Sequence, residues 1–179
     1  PRPEGLKFGI QKESERSWLL EAEVGGLPAL NFSRRGSDYK DLGRKVFSQV
    51  ERFGCEDCPV ECCGVANFEC LASLGPLLGL GSAEGVLSLL RLAEDLGMDP
   101  VSLGVSLAFL TEREGWEFGD VESYRSLIAA IAKREEDWAK ELSLGLIRAA
   151  RGKRKNFAMV FSGLEALPYF NGYLTIISQ

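Results

Sequence analysis

All five cysteines of this 179-residue chain fall between Cys55 and Cys70, and the chain contains no histidine. The missing imidazole excludes a Ser-His-Asp triad, a Cys-His pair and a His-ligated zinc site within these residues. Acid–base chemistry then falls to carboxylates, Lys, Tyr, Cys or a cofactor. The crowding of the thiols excludes the other common use of cysteine. A secreted disulfide scaffold spreads its cysteines to staple distant segments, whereas a cluster this tight points to a metal or iron–sulfur site.

Within the cluster, Cys55-Glu-Asp-Cys58-Pro-Val-Glu-Cys62 separates three thiols by two and three residues. That spacing sets them on one side of a compact turn, where they converge. Iron–sulfur clusters take thiolates in short runs of this kind, with a fourth Cys from elsewhere. Cys63 and Cys70 are both candidates, although the adjacent side chains of Cys62 and Cys63 normally point apart. Four thiolates also suit structural zinc, but such sites usually carry two CxxC knuckles and this chain has one. Buried cysteines without metal are the third reading.

The length allows one domain, or two small ones, with a real core. A composition of 45% hydrophobic and 26% charged residues is that of an ordinary globular protein. It excludes a disordered tail, a collagen-like repeat and a coiled-coil rod. Every apolar run is interrupted before the roughly 20 residues that a bilayer crossing needs. The start, Pro1-Arg2-Pro3-Glu4-Gly5, lacks the apolar stretch of a signal peptide, and the net charge of −5 argues against neutralising nucleic-acid phosphates. The expectation is a cytoplasmic protein with neither membrane nor nucleic acid as partner.

Patterning predicts an all-α multihelical bundle with a short extended or β C-terminal tail. Residues 1–37 read as an irregular segment packing on the main domain, with a short helix over Ser17–Ala22. Residues 38–179 read as the helical domain, with the Cys-rich segment at 55–70. Asp38 is the expected N-cap of a helix with Leu42, Val46, Phe47, Val50 and Phe53 on one face and Gly54 as its stop. Phe68–Leu78 is mostly apolar and broken by Gly75-Pro76. Ser82 opens a helix closed by Gly97. Asp99-Pro100 puts a cap before a proline at the first helical position, and that helix ends near Gly115. Asp120 caps the next, and a last helix carries Trp138, Leu142, Leu146, Ile147 and Ala150. Two strand-like runs, Phe157–Phe161 and Tyr173–Ile177, are expected to pair or to dock on an edge. The basic run Arg151, Lys153, Arg154 and Lys155 suits a solvated helix end, or the docking of an acidic electron-transfer protein.

The motif Cys55-x-x-Cys58-Pro-x-x-Cys62, followed by Phe68-Glu69-Cys70-Leu71-Ala72-Ser73-Leu74-Gly75, resembles the tungsten-dependent aldehyde:ferredoxin oxidoreductases. They share a CxxCPxxC run and a downstream (Y/F)E-x-L-x-x-x-G segment. The similarity continues through Glu94-Asp95-Leu96-Gly97-Met98-Asp99, Ile131-Ala132-Lys133-Arg134-Glu135, Phe157-Ala158-Met159 and Gly163-Leu164-Glu165. Upstream, Gly26-Leu27-Pro28-Ala29-Leu30-Asn31-Phe32 is similar to the family's G-x-LP-x-x-NF segment. The resemblance spans roughly residues 25–168.

The resemblance implies that Cys55, Cys58 and Cys62 hold three corners of a [4Fe–4S] cluster; Cys70 or Cys63, by the reading of the residues above, is the candidate to complete it. It implies Glu69 as the carboxylate near the active metal, a catalytic candidate for proton transfer. It also implies Glu94, Gly97 and Asp99 on the side facing a tungstopterin or molybdopterin, which would be shared with a missing domain or partner. A carboxylate and a helix terminus can accept from, and donate to, the groups of a pterin ring. Against this, the bland readings are a helix-start carboxylate at Glu69 and an N-cap at Asp99.

Departures from the family pattern bear on completeness. A tyrosine position is Phe68 here, a motif aspartate is Glu94, and the histidine near the active metal has no counterpart. The family's large N-terminal domain and distal fourth cysteine have no match in these residues. The expectation is thus the helical middle domain of such an oxidoreductase, inactive alone. It would carry electrons between a metallopterin and a ferredoxin-like carrier, as a homodimer or with a partner subunit. The alternative is a non-catalytic helical interaction or scaffold module with free or zinc-bound cysteines.

Overall fold

The computed structural model describes residues 15–49, 67–150, 157–161 and 164–168. Helix α1 covers residues 15–24, longer than the Ser17–Ala22 stretch expected, so the N-terminal segment is not irregular throughout. A two-residue strand pair follows, β1 (Pro28–Ala29) antiparallel to β2 (Arg34–Arg35). A 3-10 turn over Ser37–Tyr39 leads into α2 (Lys40–Gln49). Asp38 lies inside that turn, so it is not the N-cap of α2. Leu42, Val46 and Phe47 are buried along α2 as the pattern predicts. Val50, Phe53 and Gly54 lie outside the described residues.

The second half is helix after helix: α3 (Phe68–Leu74), a 3-10 turn over Pro76–Leu78, α4 (Ala83–Asp95), α5 (Pro100–Glu114) and α6 (Val121–Lys133). Two short helices, α7 (Asp137–Ser143) and α8 (Leu146–Ala149), come next. The last helix is therefore two. Gly145, at φ +96°, interrupts it, in a backbone region that favours glycine. The tail pairs β3 (Val160–Phe161) with β4 (Leu164–Glu165), antiparallel. The expected strand Phe157–Phe161 shrinks to its last two residues, and Tyr173–Ile177 lies outside the described residues. Among the described residues the architecture is all-α, as expected, with these two small strand pairs as the only sheet.

The caps explain why the helices begin where they do. Asn67, Ser82, Asp99 and Asp120 each accept a backbone N–H of the following first turn, satisfying donors that a helix start otherwise leaves unpaired. Helix α5 is the axis of the fold. Every residue from Leu103 to Thr111 is buried, and a helix apolar on all sides must be enclosed by others. Helices α3, α4 and α8 and the 76–78 turn pack around it.

The N-terminal segment is tied into this core. Trp18 is fully buried, donates through Nε1 to the Tyr39 carbonyl at 3.0 Å, and meets Phe68 edge-on with ring centroids 6.0 Å apart. Leu30, Asn31 and Phe32 take positive φ in succession. Their loop bonds to the 76–78 turn through Leu30 N to the Pro76 carbonyl and Asn31 N to the Leu77 carbonyl. The buried Asn31 amide donates to Glu112 on α5 and, at 2.8 Å, to the Phe157 carbonyl. Three segments far apart in sequence meet at this one side chain. No single helix among the described residues is long and apolar enough to cross a membrane.

Candidate functional site

The site is built on the corner between α4 and α5. At the end of α4, the Gly97 N–H bonds to the Glu94 carbonyl and the Met98 N–H to the Ala93 carbonyl, with Gly97 at φ +67°. This is a Schellman stop, which needs a left-handed residue at that point. Two residues later Asp99 starts α5: its carboxylate accepts the Ser102 N–H at 2.7 Å, and Pro100 takes the first helical position. The Glu94–Asp99 segment is thus a tight reversal, with Glu94, Gly97 and Asp99 all exposed on it.

Helix α3 delivers the other candidates to the same corner. Asn67 caps it by accepting the Cys70 N–H at 2.9 Å, which fixes Glu69 and Cys70 in the first turn, both half-buried. The packing of α3 on α5 is close enough that Ser73 Oγ donates to the Val101 carbonyl at 2.8 Å. Burial pushes the Cys70 thiol up to about 12, and the nearby charges of Asp99, Glu69 and Glu94 add to the shift. The thiol thus feels the charge of its neighbour Glu69 and of two carboxylates from the α4–α5 corner. Glu94 itself is raised, first by partial desolvation and then by Asp95, against the opposing pull of Arg91.

Two consequences follow for cofactors. In this anionic setting Cys70 stays a neutral thiol unless a bound cation offsets the carboxylates, so it serves as a metal ligand only with the metal's own charge present. The exposed carboxylates of Glu94 and Asp99 are acceptors on one surface, which fits the amino groups of a pterin ring. Among the described residues, no group of three Cys, Asp or Glu side chains comes together in a way that could hold a metal ion. Cys55, Cys58, Cys62 and Cys63 lie outside them, as does the basic run 151–155.

A cleft of about 470 Å³ opens beside the corner. Gly97, Asp99, Arg134 and Ser143 line it, with Ser102 and Ser106 of α5. Its apolar wall is Leu103, Ile131 and Leu142. The sequence reading gave no role to Arg134, Ser102 or Ser106. The available signal was weak: a Lys133-Arg134-Glu135 run after an apolar helix, at a position where glycine is the ordinary stop.

The chain matches the family model for aldehyde ferredoxin oxidoreductase, domains 2 & 3, over residues 14–171. It belongs to that family. The match covers the corner, the cleft, α3 and the Cys-rich segment alike, so the resemblance carried by the motifs extends over most of the chain. Membership makes it an oxidoreductase-family chain corresponding to those two domains. A search of curated proteins finds no match. Asp99 is an N-cap, as the bland reading has it, and it also borders the cleft.

Proposed function

We propose that this chain is the part of an aldehyde-oxidising oxidoreductase that holds an iron–sulfur cluster and faces a metallopterin. Cys55, Cys58 and Cys62 hold a [4Fe–4S] cluster, and Cys70 or Cys63 completes it. Glu94, Gly97 and Asp99 face a tungstopterin or molybdopterin shared with another domain or subunit. That cofactor, when bound, supplies the two-electron oxidation, with a ferredoxin-like carrier as the electron acceptor. Glu69, in the first turn of α3, holds or releases the proton at its carboxylate. A cytoplasmic location and a homodimer or partner subunit belong to the same reading.

What supports it is the Cys55-x-x-Cys58-Pro-x-x-Cys62 run inside the family match over residues 14–171, with α3, which bears Glu69 and Cys70, packed on α5, which Asp99 caps. Helix α3 begins shortly after the Cys-rich run in sequence. The chain's own residues supply acceptors for ring amino groups and a carboxylate for proton transfer, without any imidazole.

The test is an assay of iron and acid-labile sulfide on anaerobically purified chain. The reading expects about four of each per chain, as a [4Fe–4S] cluster requires, and loss of most of both in Cys58→Ser. Stoichiometric zinc with no sulfide would overturn it. Comparing Cys70→Ser with Cys63→Ser identifies which of the two completes the cluster.

A further inference from the structure

Trp116 stands apart from the other two tryptophans. The Trp18 indole is buried and donates to the Tyr39 carbonyl, and the Trp138 indole donates to the Glu136 carboxylate. Trp116 is 48% exposed, and its indole N–H has no partner among the described residues. Its backbone is nevertheless fixed. Gly115, at φ +71°, ends α5, and the Trp116 N–H bonds back to the Thr111 carbonyl at 2.9 Å. In such a Schellman stop the residue after the glycine usually packs on the side chain one turn back. Here that position is Thr111, buried and bonded to the Leu107 carbonyl, and the indole stays half in solvent.

A groove of about 510 Å³ opens beside this ring at the start of α6, lined by Trp116, Asp120, Glu122, Ser123, Ser126 and Leu127. Its side-chain oxygens are acceptors. Ser123 gives its proton to Asp120 at 2.5 Å and Ser126 to the Glu122 carbonyl at 3.0 Å, while ionised carboxylates only accept. The Ser123 hydroxyl bond also holds Asp120 below the ordinary carboxylate range. A helix start alone would favour an anion, but Asp120 already fills that place by accepting the Glu122 N–H. The charge around the groove has the same sign. Glu114 and Glu117 flank Trp116 in sequence and are exposed, and Glu117 has no partner among the described residues. The nearest cations in sequence, Arg113 and Arg125, are paired with Glu114 at 2.7 Å and with Glu122 at 3.9 Å.

We propose that this groove docks an arginine-bearing segment of a partner protein. The guanidinium lies on the face of the Trp116 ring, drawn by its quadrupole, and donates to Asp120 or Glu122. Its alkyl stem covers Leu127, and the unpaired indole N–H donates to a backbone carbonyl of the segment. A groove of acceptors beside an aromatic face repels phosphates and carboxylates, so its partner is not the acidic protein that the basic run 151–155 would suit. Leu127 is the one lining residue that is not exposed. The groove is thus too open to enclose a small metabolite, whereas tryptophan is among the residues that anchor protein interfaces. The inference needs neither the cysteines nor a pterin, and it stands or falls apart from that reading.

The test is calorimetric titration of the 179-residue chain, at low ionic strength, with an acetylated Gly-Arg-Gly-Arg-Gly amide. The same peptide with Glu in place of Arg is the control for charge, and spermidine is the control for a small polycation. Saturable binding of the arginine peptide is expected, weakened by added salt, with none of the glutamate peptide. Trp116→Ala should weaken binding about fivefold, the worth of an exposed cation–π contact, and Trp138→Phe should leave it unchanged. Asp120→Asn, which keeps a good cap, combined with Glu122→Gln should weaken it severalfold. Circular dichroism confirms that each variant is folded. Absence of saturable binding, indifference to Trp116→Ala in a folded variant, or binding of spermidine as tight as that of the peptide would each overturn the proposal.

Discussion

Ser73 on α3 and Gly104 on α5 touch so closely that a Cβ added at position 104 would lie 2.2 Å from Ser73 Oγ and 2.6 Å from the Ser73 carbonyl oxygen. The second atom is backbone and cannot swing aside. This contact sets how near α3 comes to α5, and with it how near Glu69 and Cys70 come to Asp99.

Gly104→Ala should therefore cost about 2 kcal/mol of stability, the scale of overpacking a tight contact. Helix propensity alone would favour alanine by about 1 kcal/mol, so a loss isolates the steric effect. Chemical denaturation of the two proteins measures it. Unchanged or raised stability would show that the two helices can separate freely.

Asp99 has two roles that substitution can divide. Asp99→Ala removes the cap on α5 and should cost about 1 kcal/mol, whereas Asp99→Asn, an equally good cap, should cost little. Both remove a negative charge from beside Cys70, so both should make its thiol ionise at lower pH. Thermal melts read the first effect and the thiolate absorbance of Cys70 reads the second, with Cys55, Cys58, Cys62 and Cys63 replaced by serine.

The same background exposes a pH dependence. Cys70 is raised from 9.0 to about 12 in the folded chain, by burial first and carboxylates second. The unfolded chain thus loses that proton at lower pH than the folded one, and ionisation favours unfolding. Stability linked to Cys70 is fully present below pH 9 and is lost as pH rises from about 9 through about 12. Cys70→Ala should flatten that part of the stability curve, read as the difference between the two proteins.

The helices were legible because their ends carry chemistry as well as periodicity. Ser82, Asp99 and Asp120 cap where the sequence places them, and Gly97 and Gly115 are left-handed stops. What stayed hidden depends on tertiary placement. Gly145 is one glycine among twenty in the chain, and only its φ shows that it divides α7 from α8. Asp38 has the chemistry of a cap, but a 3-10 turn starts earlier and absorbs it. Glu69, Glu94 and Asp99 are singled out by motif, yet the influence of Glu94 and Asp99 on Cys70 depends on how α3 packs at the α4–α5 corner. Arg134 stands in a motif segment, but its left-handed backbone was hidden, since such an arginine cannot be told from a helical one by type.

That arginine gives a further prediction. Arg134→Gly should raise stability by about 1 kcal/mol, because glycine accepts the left-handed backbone that costs an L residue 1–2 kcal/mol. A fall in melting temperature would mean that the Arg134 side chain itself holds α6 to its neighbours.

The central claim is that the Cys-rich run before α3 in sequence carries a redox-active iron–sulfur cluster, and low-temperature electron paramagnetic resonance addresses it most directly. Anaerobically purified chain, measured before and after reduction with dithionite, should gain a paramagnetic signal that Cys58→Ser abolishes. A chain that is silent in both states, with zinc or no metal bound, would contradict the account.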